Sequence, residues 1–322
     1  MYLLIYHLLR LILNRAMKGH NLRVIFIGTP DFAVCSLRAI LEAGSHVVAV
    51  VTAPDKPAGR GYQLQMSAVK KYALEMGLPV LQPVNLKSPQ FLEELHSYTA
   101  DLQIVIAFRM LPEAVWNMPR LGTFNLHASY LPSYRGAAPI NRVIMNGETE
   151  TGVTTFFLKH EIDTGSIILQ EKTAILPEDN AGTLHDKLMV QGANLVVKSL
   201  ELIQEGNYQL LPQQTGDYPH APKIFSEDCL INPIRSAAGI HNQVRGLSPY
   251  PAAFIMFRDK KLKIFSTRLT DMDSSGKGEI EVRGKNFYLH AADKLLELLE
   301  VQPEGKKRMP AADFINGLKL TS

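Results

Sequence analysis

Short apolar runs alternate with amphipathic stretches over the first two thirds of the chain. Arg23-Val-Ile-Phe-Ile27 is apolar throughout and ends at Gly28, the mark of a strand buried on both faces. Thr29-Pro30-Asp31 then offers a cap, a helix-opening proline and an acidic first turn, and predicts a helix to about Ala43, stopped by Gly44. His46 to Val51 reads as the next strand. The alternation goes on to predict helices near Ser67–Met76, Pro89–Tyr98 and Pro112–Val115, and strands at Pro79–Leu81, Leu102–Ala107 and Thr123–Leu126. Two more strand candidates, Gly152–Leu158 and Ser166–Lys172, precede a long helix over Ala181–Gln204. Strands joined through helices need crossover connections. The fold class is therefore α/β: an open, mostly parallel, doubly wound sheet, Rossmann-like, with helices on both faces.

The pattern changes after residue 205. Residues 206–223 are rich in Gly, Gln and Pro and read as a linker. Beyond it, Ala253–Phe257, Leu262–Thr267, Gly278–Val282 and Phe287–Leu289 are short strands between turn signals. Residues 224–322 are thus expected to form a small OB-like β-barrel domain, and residues 21–205 the larger domain. At the other end, Met1–Leu13 is apolar but broken by His7 and Arg10, and shorter than the ~20 residues that span a bilayer. Asn14-Arg15 follows where a secretory signal would place small residues. Residues 1–20 are expected to be an extension outside the fold, with Met17 as a natural start; a membrane-surface anchor is the alternative.

Of the 322 residues, 46% are hydrophobic and 20% charged, which excludes a disordered or fibrous chain. Cys35 and Cys229 lie far apart, which excludes a disulfide scaffold and fits a reducing, cytoplasmic setting. The whole formal charge of +3 falls after residue 223, where 15 Lys and Arg face 12 Asp and Glu. A basic surface suits a phosphate-bearing partner. A solvated surface of mixed charge accounts for the same count.

Gly28-Thr-Pro-Asp-Phe-Ala33 carries one glycine and a proline where a dinucleotide fingerprint needs three glycines, so NAD is not expected. The richer segment is Phe124–Pro139. Strand alternation puts Asn125 and His127 on one side, at the C-terminal end of a strand, where open α/β sheets bind ligands. An amide donor and an imidazole there can hold a developing oxyanion. Asp163, on the Gly-flanked loop after His160, can reach the same edge and orient the imidazole. An Asn-x-His taken alone is more often structural than catalytic. His127, His160 and Asp163 lack the compact spacing of a zinc site, so no metal is expected. With no Gly-x-Ser-x-Gly elbow, direct transfer between two bound substrates is the simplest chemistry.

These residues resemble a family. Asn125-Leu-His127, Ser129-Tyr-Leu-Pro132, Tyr134-Arg-Gly-Ala-Ala-Pro139, Gly152-Val-Thr154 and Asp163-Thr-Gly165 look like the folate-dependent formyltransferases. Gly28–Ala33, Pro54-Asp-Lys-Pro-Ala-Gly-Arg-Gly61 and Ile240–Ala252 point to the branch that acts on initiator tRNA. The resemblance implies formyl transfer from 10-formyltetrahydrofolate, as co-substrate, to the α-amine of methionine on that tRNA. It implies Asn125, His127 and Asp163 as the catalytic trio. It also implies folate contacts from Ser129, Tyr130, Leu131 and Pro132, and from Arg109, Met110 and Leu111 beside the pterin. The long loop Thr52–Met66 resembles the arm that enters the tRNA acceptor end, with Lys56, Arg60 and the nearby Lys70 as its basic residues. The second domain would bind tRNA, and a monomer without membrane attachment is expected. A sugar-nucleotide amine as acceptor, or a non-catalytic RNA-binding role for the basic barrel, are the competing readings. Pro233 stands where the family often has Trp, and Tyr130 where Leu is common.

Overall fold

The computed structural model of the chain describes residues 22–58 and 63–318. The N-terminal extension, Met17 included, and Gly59, Arg60 and Gly61 of the basic loop lie outside the described residues. β1 (Arg23–Gly28), α1 (Asp31–Glu42) and β2 (His46–Val51) form the expected opening unit. The loop after β2 holds a hairpin, β3 (Lys56–Ala58) and β4 (Gln63–Gln65), ahead of α2 (Ala68–Glu75). β5 (Val80–Leu81), α3 (Pro89–Ser97), β6 (Leu102–Ile106), α4 (Glu113–Trp116) and β7 (Thr123–His127) continue the alternation. α5 (Pro139–Met145), β8 (Glu150–Phe157), β9 (Ile167–Ala174) and α6 (Ala181–Glu205) complete it.

The strands lie in the order β5-β2-β1-β6-β7-β8-β9. The first five are parallel, and β8 and β9 add antiparallel at one edge. β2 and β5 extend the sheet on one side of β1, β6 and β7 on the other. The winding therefore reverses between β1 and β6, and the crevice at the C-terminal strand ends there is the natural ligand site. Alternate residues of β1 serve opposite faces. Val24 and Phe26 pack with Leu37 and Ile40 of α1 and Leu184 and Val196 of α6. Ile25 and Ile27 pack with Val51, and with Phe91 and Leu95 of α3. Each such side chain, buried fully, contributes about 1.5–3 kcal/mol before entropy is counted.

A second core lies beyond residue 223. α7 (Ser226–Cys229) and α8 (Ala237–Leu247) lead into β10 (Ala253–Phe257), β11 (Lys260–Asp273), β12 (Ile280–Arg283), β13 (Asn286–His290), β14 (Lys294–Pro303), β15 (Met309–Pro310) and α9 (Ala311–Gly317). The sheet is antiparallel in the order β10-β11-β14-β13-β12, with β15 on β14. The register of β11 slips at three places, and such bulges bend a strand. Among the described residues no ladder joins β10 to β12, so the OB-like unit is a sheet with two free ends. Ile240, Val244 and Leu247 of α8 pack with Ile264, Phe287, Leu296 and Val301 of the strands.

Residues 206–223 run along the first unit as a strap. Leu211 pairs with Ile167 and His220 with Arg135. α5 meets α8, where Asn141 Nδ2 donates to the Gly246 carbonyl at 2.7 Å. Arg245 Nη1 donates to the carbonyls of Leu176, Pro177 and Asp179, at 3.2, 2.9 and 2.9 Å. Among the described residues no helix is long and apolar enough to cross a membrane.

Candidate active site

The site grows from the last residues of β7. Asn125 pairs with Phe156 and His127 with Thr154 of β8, and the two-residue period sends both side chains to one face. Past His127 the chain turns through a cis Leu131–Pro132 bond. Thr154 Oγ1 donates to the Ser129 carbonyl at 2.7 Å and accepts from Leu131 N–H at 3.1 Å. Gln170 Nε2 donates to the Leu131 carbonyl at 2.7 Å. This turn brings the Tyr134 carbonyl back onto His127, whose Nε2 lies 2.9 Å away. A carbonyl only accepts, so Nε2 carries the proton there and Nδ1 is the nitrogen left for chemistry.

Nδ1 faces Asp163 Oδ2 at 3.8 Å, and both side chains are largely buried. That separation supports charge attraction but is too long for a hydrogen bond. The expected Asp–His contact is therefore a charge pair with room beside it. Asp163 has a left-handed backbone, φ 55°, and its Oδ2 accepts from Gly136 N–H at 3.0 Å. Gly136 has φ 124°, and a Cβ there would stand 2.5 Å from the Ala221 carbonyl oxygen. No other residue type fits that crossing of strap and turn. The Tyr134 phenol is pushed up by burial and by the Glu148 carboxylate 2.7 Å away, so it stays a proton donor.

Asn125, His127 and Asp163 open together onto a cavity of about 750 Å³. Its walls come from the start of α1 (Pro30, Phe32), the segment after β6 (Ala107–Leu111) and the start of α5 (Pro139–Asn141). This is the crevice at the topological switch, of a size that holds one organic ligand. Val105, Phe108, Leu111, Trp116 and Leu158 make it apolar away from the polar trio. The Asn125 carboxamide has no hydrogen-bond partner among the described residues, so it is free to bind a ligand oxygen.

The other residues singled out from sequence divide. Arg109, Met110 and Leu111 line the cavity; Arg109 is held by the Val84 carbonyl at 2.9 Å and by the Pro83 carbonyl. Ser129, Tyr130, Leu131 and Pro132 do not line it. Ser129 and Leu131 are buried in the turn behind His127, and Tyr130 packs under the Lys172 ammonium. Lys56 is exposed on β3. Lys70 is not a free cation: its ammonium pairs with Asp55 at 2.5 Å, and that bond, with one from Gln82, holds the Asp55 carboxyl below the usual range. Sequence reasoning missed Gln213, whose polar surroundings carry no periodic signal. It also missed Asn141, although Pro139 at a helix start could have revealed α5. Among the described residues no cluster of His, Cys, Asp and Glu could hold a metal ion.

A doubly wound sheet presenting an amide, an imidazole and a carboxylate to one cavity, with no covalent nucleophile among them, is the build of an acyl-type group transferase. The chain belongs to the formyl transferase family: the family's model "Formyl transferase" matches residues 22–200, and "Formyl transferase, C-terminal domain" matches residues 223–319. The curated methionyl-tRNA formyltransferases of Parabacteroides distasonis and Bacteroides fragilis are 52% and 49% identical to it over 316 residues. Those matches span 94% and 95% of this chain and 98% of each relative. The crystal structure of an N-formyltransferase from Helicobacter canadensis, in complex with folinic acid and dTDP-3-aminofucose, shares the fold with a TM-score of 0.67. It is 23% identical and covers 88% of this chain and 99% of its own. The chain is thus a one-carbon transferase.

Proposed function

We propose that the chain transfers the formyl group of 10-formyltetrahydrofolate to the α-amine of methionyl initiator tRNA, acting as a cytoplasmic monomer. The observation that carries this reading is the meeting of Asn125, His127 and Asp163 on one apolar cavity. The match over nearly the full length of methionyl-tRNA formyltransferases supplies the acceptor.

The co-substrate supplies a formyl carbon attached to nitrogen. Its pterin fits the apolar wall of Phe108 to Leu111, which leaves the formyl group beside the trio. Asn125 donates to the formyl oxygen as the amine attacks and that oxygen becomes an oxyanion. His127, in its imidazolium form, donates from Nδ1 to the same oxygen. Asp163 balances the imidazolium and accepts the proton that the amine sheds. The new C–N bond forms, the bond from the formyl carbon to its donor nitrogen breaks, and the proton passes to that nitrogen, through water where the gap requires it.

Residues 21–205 hold this chemistry, 206–223 connect, and 224–322 bind the RNA. Lys56 and Arg60 contact its phosphates, while Lys70 steadies the base of their loop through Asp55. The test supplies labelled formyl donor with charged initiator tRNA and, separately, with an amino-sugar nucleotide. Label on the tRNA is expected; label on the sugar alone overturns the reading.

A further inference from the structure

We propose that Gln213 is a positioning residue for formyl transfer, acting through Asp163. The inference rests on the role given above to Asp163. Gln213 is half-buried on the strap, between exposed neighbours. Its carboxamide is saturated. Nε2 donates to the Asp163 carbonyl at 2.8 Å and to the Gly165 carbonyl at 2.9 Å. Oε1 accepts from Arg135 Nε at 2.9 Å and from Nη2 at 2.5 Å.

These bonds join the two segments that set the His127–Asp163 pair. One carries Asp163; the other carries the Tyr134 carbonyl that anchors His127 and the Gly136 N–H that holds Asp163. An aspartate tolerates φ 55° better than most residues but does not prefer it, so bonds from outside the loop help to hold it there. Two donors and one acceptor in a single plane are what the position demands, and an amide has them. The carboxylate that faces His127 Nδ1 is therefore set from the strap.

Gln213→Glu separates this role from plain stabilisation. The new carboxylate still accepts from Arg135 but has no donor for the two carbonyls. With charged initiator tRNA as acceptor, kcat is expected to fall about ten- to a hundredfold, the cost of misplacing a reacting group by about an ångström. The KM for the formyl donor should stay within about twofold. In an Asp163→Asn background the same change should add no further loss, because its effect runs through Asp163. Gln213→Ala carries the same expectations and serves if the extra charge prevents folding. Unchanged kcat, or an equal loss in both backgrounds, overturns the inference and leaves the Asp163 role standing. An Asp163→Asn enzyme as active as the native one overturns both.

Discussion

His127 is fixed on one side and open on the other. Its Nε2–H is spent on the Tyr134 carbonyl, so only Nδ1 can serve a reacting group. The two side-chain amides test this division, because Gln places its nitrogen near Nε2 and Asn places its nitrogen near Nδ1. His127→Gln should lose activity as fully as His127→Ala, about 10²–10³-fold in kcat, the usual cost of an oxyanion donor. His127→Asn should retain more, with steady-state kcat as the measurement. Equal activity of the two amides would place the working nitrogen elsewhere. Of the trio, Asn125 and His127 were legible because a strand's period of two fixes their common face. Asp163 was legible as a carboxylate on a Gly-flanked loop, but its left-handed backbone and its distance from His127 were not. Gln213 was invisible, since its role comes from residues about 50 and 78 positions away in the chain.

At the scale of elements, the first sheet was readable because its strands are apolar runs between helix signals. Failures cluster where local preference and tertiary role diverge. β14 reads Lys-Leu-Leu-Glu-Leu-Leu-Glu, rich in good helix formers, yet it is the strand that joins β11 to β13. Its burial against α8 overrides its propensity. β11 runs on to Asp273, past the predicted Thr267, because its bulges let one strand bend. The strap reads as a linker in sequence, and its backbone finds partners in β9 and in the turn after β7. α5 and α8 pack closely because Gly246 lacks a side chain: a Cβ would stand 2.8 Å from the Asn141 carbonyl oxygen and 2.5 Å from Met145 Cγ. Gly246→Ala is expected to destabilise the protein by about 1–3 kcal/mol, the range for overpacking a close contact. Denaturant unfolding measures it, and an unshifted midpoint would mean that the helices move apart freely.

At the scale of the molecule, two apolar cores meet where α5 packs on α8, with Met145 of α5 against the second core. Acid is expected to act on α8 of the second unit, where His241 Nδ1 bonds the Thr267 hydroxyl of β11 at 2.8 Å. Burial, helped by the nearby Arg245 cation, holds His241 down to about 4. The unfolded chain protonates the same group near 6.5, so between these values the unfolded state binds more protons. Stability should therefore fall as pH drops from about 6.5 towards 4, and His241→Gln should lose less over that window in thermal melts. A parallel loss in both proteins would show the group to be neutral in effect. Recognition of RNA also belongs to this scale. Arg60→Ala is expected to raise the KM for tRNA and to flatten its dependence on salt, leaving the KM for the formyl donor alone. An unaltered salt slope would remove Arg60 from the phosphate contacts.

The strap gives the molecule two different borders. By packing, the first core runs on to Ala221, which is fully buried in it with Tyr208 packed alongside, whereas the first family model ends at residue 200. A fragment cut at residue 205 keeps every cavity wall and all three reacting side chains, yet sheds Tyr208, Ala221 and the amide that grips its acidic loop. A cut after residue 223 keeps that grip. The shorter fragment should then be both less stable and slower with a small amine acceptor than the longer one, because one strap closes the first core and sets its acidic loop.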